Sequence, residues 1–288
     1  MSIDTRYKTS EGEQAVMALY DAALKNWPVA YETQMVTTRH GDTFVITSGD
    51  TSAPAMILLH GAGGNSTMWA GDAKDYSQHF RVYAVDLPGE AGKSADNRPT
   101  WNSPAFAEWL EDVLNGLQIE HATLVGISQG AWTALKFATT HPERVDKLVL
   151  MAPGGIVPDR KSFLIRAIGA MLLGKWGITN MVQALFGDQT VPDGVVEIVV
   201  QMTTAFKPRM GVLPIFADDA LRRLTMPTLL IGGTKDIIRD TAQIEGRLRG
   251  IVPDLKVTIM PGAGHALINT CEAVMAFLED STPALEMA

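Results

Sequence analysis

The sequence predicts a domain of the α/β class, built on a mostly parallel eight-stranded sheet with helices on both faces. Short, nearly continuous apolar runs alternate with segments of helical periodicity, which is typical of strands covered on both sides. The 288 residues suffice for a sizeable buried core. A content of 46% hydrophobic and 19% charged residues excludes an intrinsically disordered chain.

The strands are predicted in chain order from these apolar runs. A hairpin comes first, because two strand-like runs are joined by the turn-forming residues His40-Gly41-Asp42. The later runs alternate with helical patterns, as the crossover connections between parallel strands require. The eight predicted strands are Gln34–Arg39, Thr43–Ser48, Ala55–His60, Arg81–Asp86, Ala122–Ile127, Asp146–Ala152, Pro227–Gly232 and Leu255–Met260.

Capping signals predict where helices begin. Ser10 with Glu13 forms a capping-box pattern for the first helix, and Asn269 with Glu272 repeats the pattern for the last. Ser103 precedes a proline, which suits the first helical position, so a further helix is predicted to open there.

One segment breaks the alternation of strands and helices. Residues 153–217 are rich in Met, Phe, Gly and Pro and have helical periodicity, whereas a simple crossover needs only about 30 residues. We therefore predict an inserted helical lid over residues 153–217, a core of residues 34–152 and 218–288, and an N-terminal helical extension of residues 1–33.

Composition narrows the classes of partner. The net charge of −8 argues against nucleic acid, whose phosphates demand a basic face. The single cysteine, Cys271, excludes an intrachain disulfide and a cysteine-based zinc site. No apolar run is long enough to cross a bilayer and no signal peptide is readable, so no membrane partner and a cytoplasmic location are expected. The oligomeric state stays open.

The segment Gly126-Ile127-Ser128-Gln129-Gly130 carries the strongest chemical signal. It directly follows a predicted strand and opens a predicted helix, so Ser128 must occupy a tight, strained turn that exposes its hydroxyl above the sheet edge. Crowding around such a turn favours glycine two residues to either side. Ser128 is therefore the predicted nucleophile.

A serine hydroxyl needs a base to take its proton. Among the 6 histidines, His265 is the candidate because it follows the last strand on a glycine-rich loop, at the same sheet edge as Ser128. Asp236 follows another strand end at that edge and is the predicted acid that orients the imidazole. Asp240, the alternative acid, fits better as the cap of a helix that starts near Thr241.

Developing negative charge on a substrate oxygen needs preorganised donors. The loop His60-Gly61-Ala62-Gly63-Gly64 follows the third strand and offers backbone N–H groups without side-chain obstruction. We expect the N–H groups of Ala62 and Gln129 to form an oxyanion hole, with Gly63 as the alternative to Ala62. A phosphate-binding loop is disfavoured, because neither the Gly-Lys-Ser/Thr motif nor the dinucleotide-binding spacing is met.

Together these motifs identify the chain as a member of the α/β-hydrolase superfamily from about residue 35 onward, and the order nucleophile, acid, histidine is that of the superfamily. More narrowly, the sequence is similar to bacterial naproxen-type carboxylesterases. The Asp86–Ser94 loop is one residue longer than the usual family pattern, and Gln129 replaces a more common methionine or leucine. The motifs are His60-Gly61-Ala62-Gly63, Asp86-Leu87-Pro88-Gly89, the turn at Ser128, His141-Pro142-Glu143-Arg144-Val145, Gly232 to Asp236, Gly264-His265, and, for the narrower likeness, Trp27-Pro28, Thr38-Arg39-His40-Gly41, Ser66-Thr67-Met68-Trp69 and Tyr83-Ala84-Val85-Asp86.

The resemblance implies a serine carboxylic-ester hydrolase that acts through an acyl-enzyme on small to medium apolar esters. No cofactor or metal is implied, and a small-molecule ester is the expected partner. The same three residues also serve perhydrolysis, C–C bond hydrolysis and amide cleavage, and a ligand-sensing protein on a hydrolase scaffold is a further alternative. The candidate substrate-binding residues, each with packing in the lid or core as the alternative role, are Trp69, Trp132, Met171, Trp176 and Phe206.

Overall fold

The computed structural model describes residues 6–209 and 211–280, which form an eight-stranded sheet in the order β1-β2-β4-β3-β5-β6-β7-β8. The pairs β1–β2 and β2–β4 are antiparallel and all other neighbouring pairs are parallel. The predicted fold class is thereby confirmed. The strands are β1 (Tyr31–Val36), β2 (Thr43–Ser48), β3 (Ala55–Leu59), β4 (Arg81–Val85), β5 (Ala122–Ile127), β6 (Val145–Met151), β7 (Thr228–Gly233) and β8 (Leu255–Met260).

Helices flank the sheet, and the core is divided between its two faces. Successive residues of a strand point to opposite faces. In β3, Ile57 and Leu59 belong to one buried apolar cluster, whereas Met56 and Leu58 belong to the other. The helices are α1 (Ser10–Lys25), α2 (Ala70–Tyr76), α3 (Ala105–Gly116), α4 (Gln129–Ala138), α5 (Lys161–Leu172), α6 (Gly174–Phe186), α7 (Val195–Ala205), α8 (Asp218–Leu221), α9 (Thr241–Arg249) and α10 (Cys271–Asp280).

The first strand of the predicted hairpin lies three residues earlier than its sequence pattern suggested, whereas the second, Thr43–Ser48, lies where it was predicted. β1 spans Tyr31–Val36 instead of Gln34–Arg39. The residues after Val36 turn back because the Thr38 hydroxyl donates to the Gly41 carbonyl, at 2.6 Å between the oxygens, and Gly41 adopts a φ of 104°. Local turn chemistry therefore ends the strand before the apolar pattern does.

Two predicted helix caps are wrong by one position. Thr9, and not Ser10, is the N-cap of α1, since its side chain accepts the Gly12 N–H. Asn269 has a left-handed φ of 58° and precedes Thr270, whose carbonyl accepts the first α10 hydrogen bond. A chain with several adjacent polar residues offers several possible caps, and tertiary contacts select one of them.

Helices α5, α6 and α7 lie between β6 and β7, in the segment expected to be a lid. A small apolar cluster centred on Ile178, Val182 and Phe186 holds α6 against its neighbours. The limits proposed for extension, core and lid stay predictions. Within the described residues, no helix combines the length and the apolar character that crossing a membrane requires.

Helix α4 packs against the sheet at the edge where β3 and β5 end. A β-carbon added to Gly130, the second residue of α4, would lie 2.0 Å from the Leu59 carbonyl oxygen. Any side chain at Gly130 would therefore push the helix away from β3. This close approach fixes the start of α4, and with it the turn that precedes the helix.

We expect Gly130→Ala to lower the free energy of unfolding by about 3 kcal/mol, because overpacking against backbone cannot relax cheaply. Gly246 provides the matched control, since it lies within α9 and a β-carbon there meets nothing within 4 Å. Gly246→Ala should stabilise the protein by up to about 1 kcal/mol through helix propensity. Chemical denaturation measures the free energy of unfolding of both variants. Equal values for Gly130→Ala and Gly246→Ala would contradict the packing argument.

Candidate active site

Ser128 occupies the turn between β5 and α4. Its backbone has φ 55° and ψ −107°, a strained conformation for a residue other than glycine. The surroundings impose it: the Ser128 N–H donates to the Met151 carbonyl at 2.9 Å, and a β-carbon on Gly126 would meet the Ala131 nitrogen at 2.6 Å. The turn thus presents the Ser128 hydroxyl at the carboxyl end of the sheet, as the sequence motif indicated.

His265 and Asp236 reach the same place from loops that follow β8 and β7. The Nε2 atom of His265 lies 2.9 Å from Ser128 Oγ. Its Nδ1 atom lies 2.8 Å from Asp236 Oδ2. With Nδ1–H donated to the carboxylate, Nε2 is left to accept the serine proton. The structure therefore joins the three predicted residues in one hydrogen-bonded chain.

The Asp236 carboxylate is buried yet kept ionised. Burial alone would raise its pKa, but the hydrogen bond and charge of His265 and the N–H groups of Arg239 and Ile238 outweigh burial and lower the pKa. An ionised Asp236 both fixes the imidazole tautomer and favours its positively charged form. Asp240, the alternative acid, caps α9 by accepting the Gln243 N–H.

The glycine-rich loop after β3 passes beside Ser128. A β-carbon on Gly61 would lie 3.8 Å from Ser128 Cβ. The fully buried His60 anchors this loop, since its Nε2 accepts the Leu87 N–H at 2.9 Å while Nδ1 contacts the Gly61 carbonyl at 2.8 Å. The accepted N–H assigns the ring proton to Nδ1. His60 thus holds the loop in place from within the core.

Glu90 was missed by sequence reasoning. It is 1% exposed and lies in the Asp86–Ser94 loop. Its Oε2 accepts the Gly63 N–H at 2.7 Å, and its Oε1 accepts from Gln129 Nε2 at 2.9 Å. One buried carboxylate therefore ties together the two segments expected to supply oxyanion donors. The extra residue in the loop was the signal that could have drawn attention to it.

Arg239 was also missed. Its side chain is 5% exposed, and its Nη1 lies 3.4 Å from Ser128 Oγ and 3.3 Å from the Ala152 carbonyl. Its Nε pairs with Asp159 at 2.7 Å. A buried cation therefore faces the oxygen of the candidate nucleophile. No local pattern marks Arg239, because the residues that it contacts lie far away in the sequence.

The residues predicted to bind substrate are not brought together. Trp132 is buried against Phe216, and its ring N–H donates to the Pro214 carbonyl at 3.0 Å. Trp69 is buried in the core cluster that also contains Tyr76. Both tryptophans are fixed by packing within the protein.

The other three predicted residues lie in the segment between β6 and β7. Phe206 is buried and packs edge-on against Tyr7, with ring centroids 5.7 Å apart. Met171 and Trp176 point outward on α5 and α6 and are more than half exposed. The role of these residues in binding substrate stays a prediction.

A partly exposed serine, hydrogen-bonded to a buried histidine that contacts a buried carboxylate, can carry out acyl transfer, in which the serine oxygen attacks a carbonyl carbon. Within residues 6–209 and 211–280, no group of three or more His, Cys, Asp or Glu is placed to hold a metal ion.

The fold and this site define a hydrolase of the α/β class, and comparison with known proteins places it further. The sequence model of the alpha/beta hydrolase family matches residues 56–276, and the chain belongs to that family.

Similar proteins include carboxylesterases of Bacillus subtilis (strain 168). The chain is 32% identical to the "uncharacterized carboxylesterase nap" over 259 residues, covering 86% of this chain and 85% of that protein. It is also 32% identical to carboxylesterase YbfK over 260 residues, covering 86% of each. These relatives make the chain a carboxylesterase-type hydrolase.

Solved structures agree. The crystal structure of naproxen esterase from Bacillus subtilis matches with a TM-score of 0.84 and 29% identity, covering 94% of this chain and 99% of that one. The crystal structure of carboxylesterase CesB from the same organism matches with a TM-score of 0.83 and 30% identity, covering 94% and 100%. The resemblance to naproxen-type carboxylesterases is confirmed.

We expect Glu90→Ala to lower kcat for p-nitrophenyl acetate by about 10- to 100-fold with little change in KM. The substitution leaves the Gly63 N–H and the Gln129 amide without their buried acceptor, so both segments lose their fixed position. Glu90→Gln should keep most of the activity, because Gln129 can turn its amide and restore both hydrogen bonds. Steady-state kinetics distinguishes the two variants.

The matched control is Glu32→Ala, which removes a glutamate whose side chain is 77% exposed on β1. Its kcat should equal that of the unmodified protein. If Glu90→Ala also leaves kcat unchanged while folding normally, Glu90 does not position the site.

Proposed function

We propose that the protein hydrolyses carboxylic esters through an acyl-enzyme on Ser128. The observation that carries the proposal is the unbroken chain of hydrogen bonds from Asp236 through His265 to Ser128, with atoms 2.8 Å and 2.9 Å apart. Nucleophile and base are thus within direct proton-transfer distance, and the orienting acid is within hydrogen-bond distance of the base. The carboxylesterase relatives support the ester as the substrate class.

The reaction proceeds in two halves. Ser128 Oγ attacks the ester carbonyl carbon while His265 Nε2 accepts the serine proton, and the imidazolium then gives that proton to the leaving alcohol oxygen. Water attacks the resulting acyl-enzyme, with His265 Nε2 taking one of its protons. The tetrahedral intermediate collapses, the acid is released, and Ser128 regains its proton. Asp236 stabilises the imidazolium in both halves.

The N–H groups of Ala62 and Gln129 are the proposed donors to the oxyanion. Gly63, the alternative to Ala62, already donates its N–H to Glu90 at 2.7 Å. This hydrogen bond favours Ala62 as the donor, because the single N–H of Gly63 is already donated to a carboxylate and is not available to an oxyanion. Gln129 begins α4, where the helix dipole adds to the field of its N–H.

Small to medium apolar esters are the proposed substrates, and no cofactor takes part in the proposed steps. An aromatic cluster of Trp101, Phe106 and Phe216 surrounds Trp132 in the first turn of α4, the helix that follows Ser128, which supports an apolar surrounding for the acyl or alcohol group. One similar structure carries the name naproxen esterase, which assigns an ester of naproxen to that protein.

Hydrolysis of p-nitrophenyl esters from acetate to palmitate tests the proposal. Ser128→Ala and His265→Ala should each lower kcat by roughly 10⁴-fold or more. Asp236→Asn should cost about 10³-fold, since the imidazole loses its orientation and its counter-charge. Ser162→Ala, on the exposed surface of α5, is the matched control and should be fully active.

Fast turnover of short chains that disappears in Ser128→Ala establishes the esterase and its nucleophile. If the Ser128→Ala protein keeps most of its ester hydrolysis, Ser128 is not the nucleophile. Absence of turnover on every chain length, with the fold intact, would favour another acyl reaction or ligand sensing.

The acid product adds a prediction about Arg239. Hydrolysis creates a carboxylate next to Ser128, where the Arg239 guanidinium lies 3.4 Å from Oγ. We expect carboxylates such as acetate and butyrate to inhibit competitively, and Arg239→Gln to raise the inhibition constant by roughly tenfold or more. The inhibition constant of Arg239→Lys should lie between those of the unmodified protein and Arg239→Gln.

Arg160→Gln is the control, because Arg160 pairs with Asp240 at a more exposed position nearby. Its inhibition constant should not change. Equal inhibition constants for Arg239→Gln and the unmodified protein would show that the guanidinium serves only to hold Asp159 and the Ala152 carbonyl.

A further inference from the structure

An exposed apolar surface covers one side of the helical hairpin formed by α5 and α6. Large apolar side chains there are each more than half exposed, and Leu172 reaches 82%. Contiguous apolar exposure of this kind marks a site of interaction with a protein or a membrane. We call this surface the hairpin face, and it comprises Leu164, Ile165, Ile168, Met171, Leu172 and Trp176.

Within the part of the chain that the structure describes, nothing covers the hairpin face. Helix α5, all of whose residues are described, has no buried residue. Its position is set by α6 instead: Gly174 turns the chain with a φ of 57°, and a β-carbon on Gly177 would lie 2.3 Å from the Ala170 carbonyl. The two helices therefore cross closely, and this contact leaves the apolar side chains of α5 pointing away from the core.

The charged residues of α5 and α6 themselves all have one sign. Lys161, Arg166 and Lys175 are exposed on the same two helices. No acidic residue occurs between Lys161 and Gly187, although the whole chain has a net charge of −8. A cationic and apolar surface thus stands out on an otherwise acidic protein.

We propose that the hairpin face docks on the surface of an anionic phospholipid bilayer. Helices that lie in a membrane interface combine Lys or Arg with exposed leucine, isoleucine and tryptophan, as α5 and α6 do. The three cations match the negative charge of the lipid headgroups, and the apolar side chains enter the acyl boundary. This binding is separate from the proposed ester hydrolysis and does not require it.

A second copy of the chain fits the face less well. Two hairpin faces brought together would place six cations around one apolar contact, and like charges at an interface oppose association. A bilayer of anionic lipid instead neutralises each cation. The proposal also departs from the expectation of no membrane partner, which rested on the lack of a membrane-spanning run. A hairpin can lie on a bilayer without spanning it.

Co-sedimentation with lipid vesicles tests the proposal. The probe is vesicles of equal parts phosphatidylglycerol and phosphatidylcholine, compared with vesicles of pure phosphatidylcholine. The protein carries Ser128→Ala, so that the lipid esters stay intact whatever its activity. We expect binding to the anionic vesicles and at least about tenfold weaker binding to the neutral ones. Binding should fall as salt concentration rises.

Two groups of substitutions separate the contributions. Replacing Lys161, Arg166 and Lys175 by Gln should weaken binding by about 100-fold, or about fivefold for each cation. Replacing Leu164, Ile165 and Leu172 by Gln should weaken it by roughly tenfold or more. Gln suits a helix, so both triple variants should keep their helical circular dichroism.

The matched control replaces three exposed cations elsewhere, Lys25, Lys74 and Arg222, by Gln. It should bind like the parent protein. Trp176 gives a second readout, because it is 66% exposed whereas the other five tryptophans are buried or half-buried. Its emission should shift to shorter wavelength on anionic vesicles, and Trp176→Phe should remove the shift.

Three results would overturn the proposal. The first is equal sedimentation with anionic and neutral vesicles, or with neither. The second is a control variant that loses as much binding as the hairpin variant. The third is self-association, seen by sedimentation velocity, that disappears in the apolar triple variant while vesicles bind nothing, because a second copy then covers the face. None of these results depends on whether Ser128 hydrolyses esters.

Discussion

The tight turn at Ser128 is the constraint on which the rest of the site depends. Its backbone is held in a strained conformation because β5 and α4 meet with no room for side chains at Gly126 or Gly130. The turn places the hydroxyl at the carboxyl edge of the sheet. The loops that follow β3, β7 and β8 begin at the same edge. Parallel strand order therefore assembles the site from distant segments, and packing behind it maintains the strain.

Buried polar groups hold in place the loops that surround the Ser128 turn. A charge removed from water is costly unless it is paired or hydrogen-bonded, so each buried group fixes its neighbours. Asp86 accepts the Ser66 and Lys93 N–H groups, both at 2.7 Å, and holds its loop against the core. Glu90, further along the loop, reaches Gly63 and the Gln129 amide. The two segments proposed to supply the oxyanion donors are thus positioned by the same loop that departs in length from the family pattern.

The sequence predicted most of the fold and the central site, because both depend on local signals. A strand followed by a glycine-flanked serine, or by an acid or a histidine on a loop, is visible within a few residues. Glu90 and Arg239 were not visible, since Glu90 lies 27 residues from Gly63 and Arg239 lies 111 residues from Ser128. The residues proposed to bind substrate lie in different parts of the structure, because apolar composition does not reveal which face of a helix turns inward.

The hairpin face also depends on tertiary contacts that the sequence does not reveal. Composition marked α5 and α6 as apolar, which in a globular protein normally implies burial. The structure instead supports α5 through its close crossing with α6, so its apolar side chains contribute little to the core. Residues that do not stabilise the fold are free to serve another interaction. The strained turn and its buried charges occupy the core, whereas the hairpin face lies outside it, so binding at one surface and chemistry at the other are physically separable.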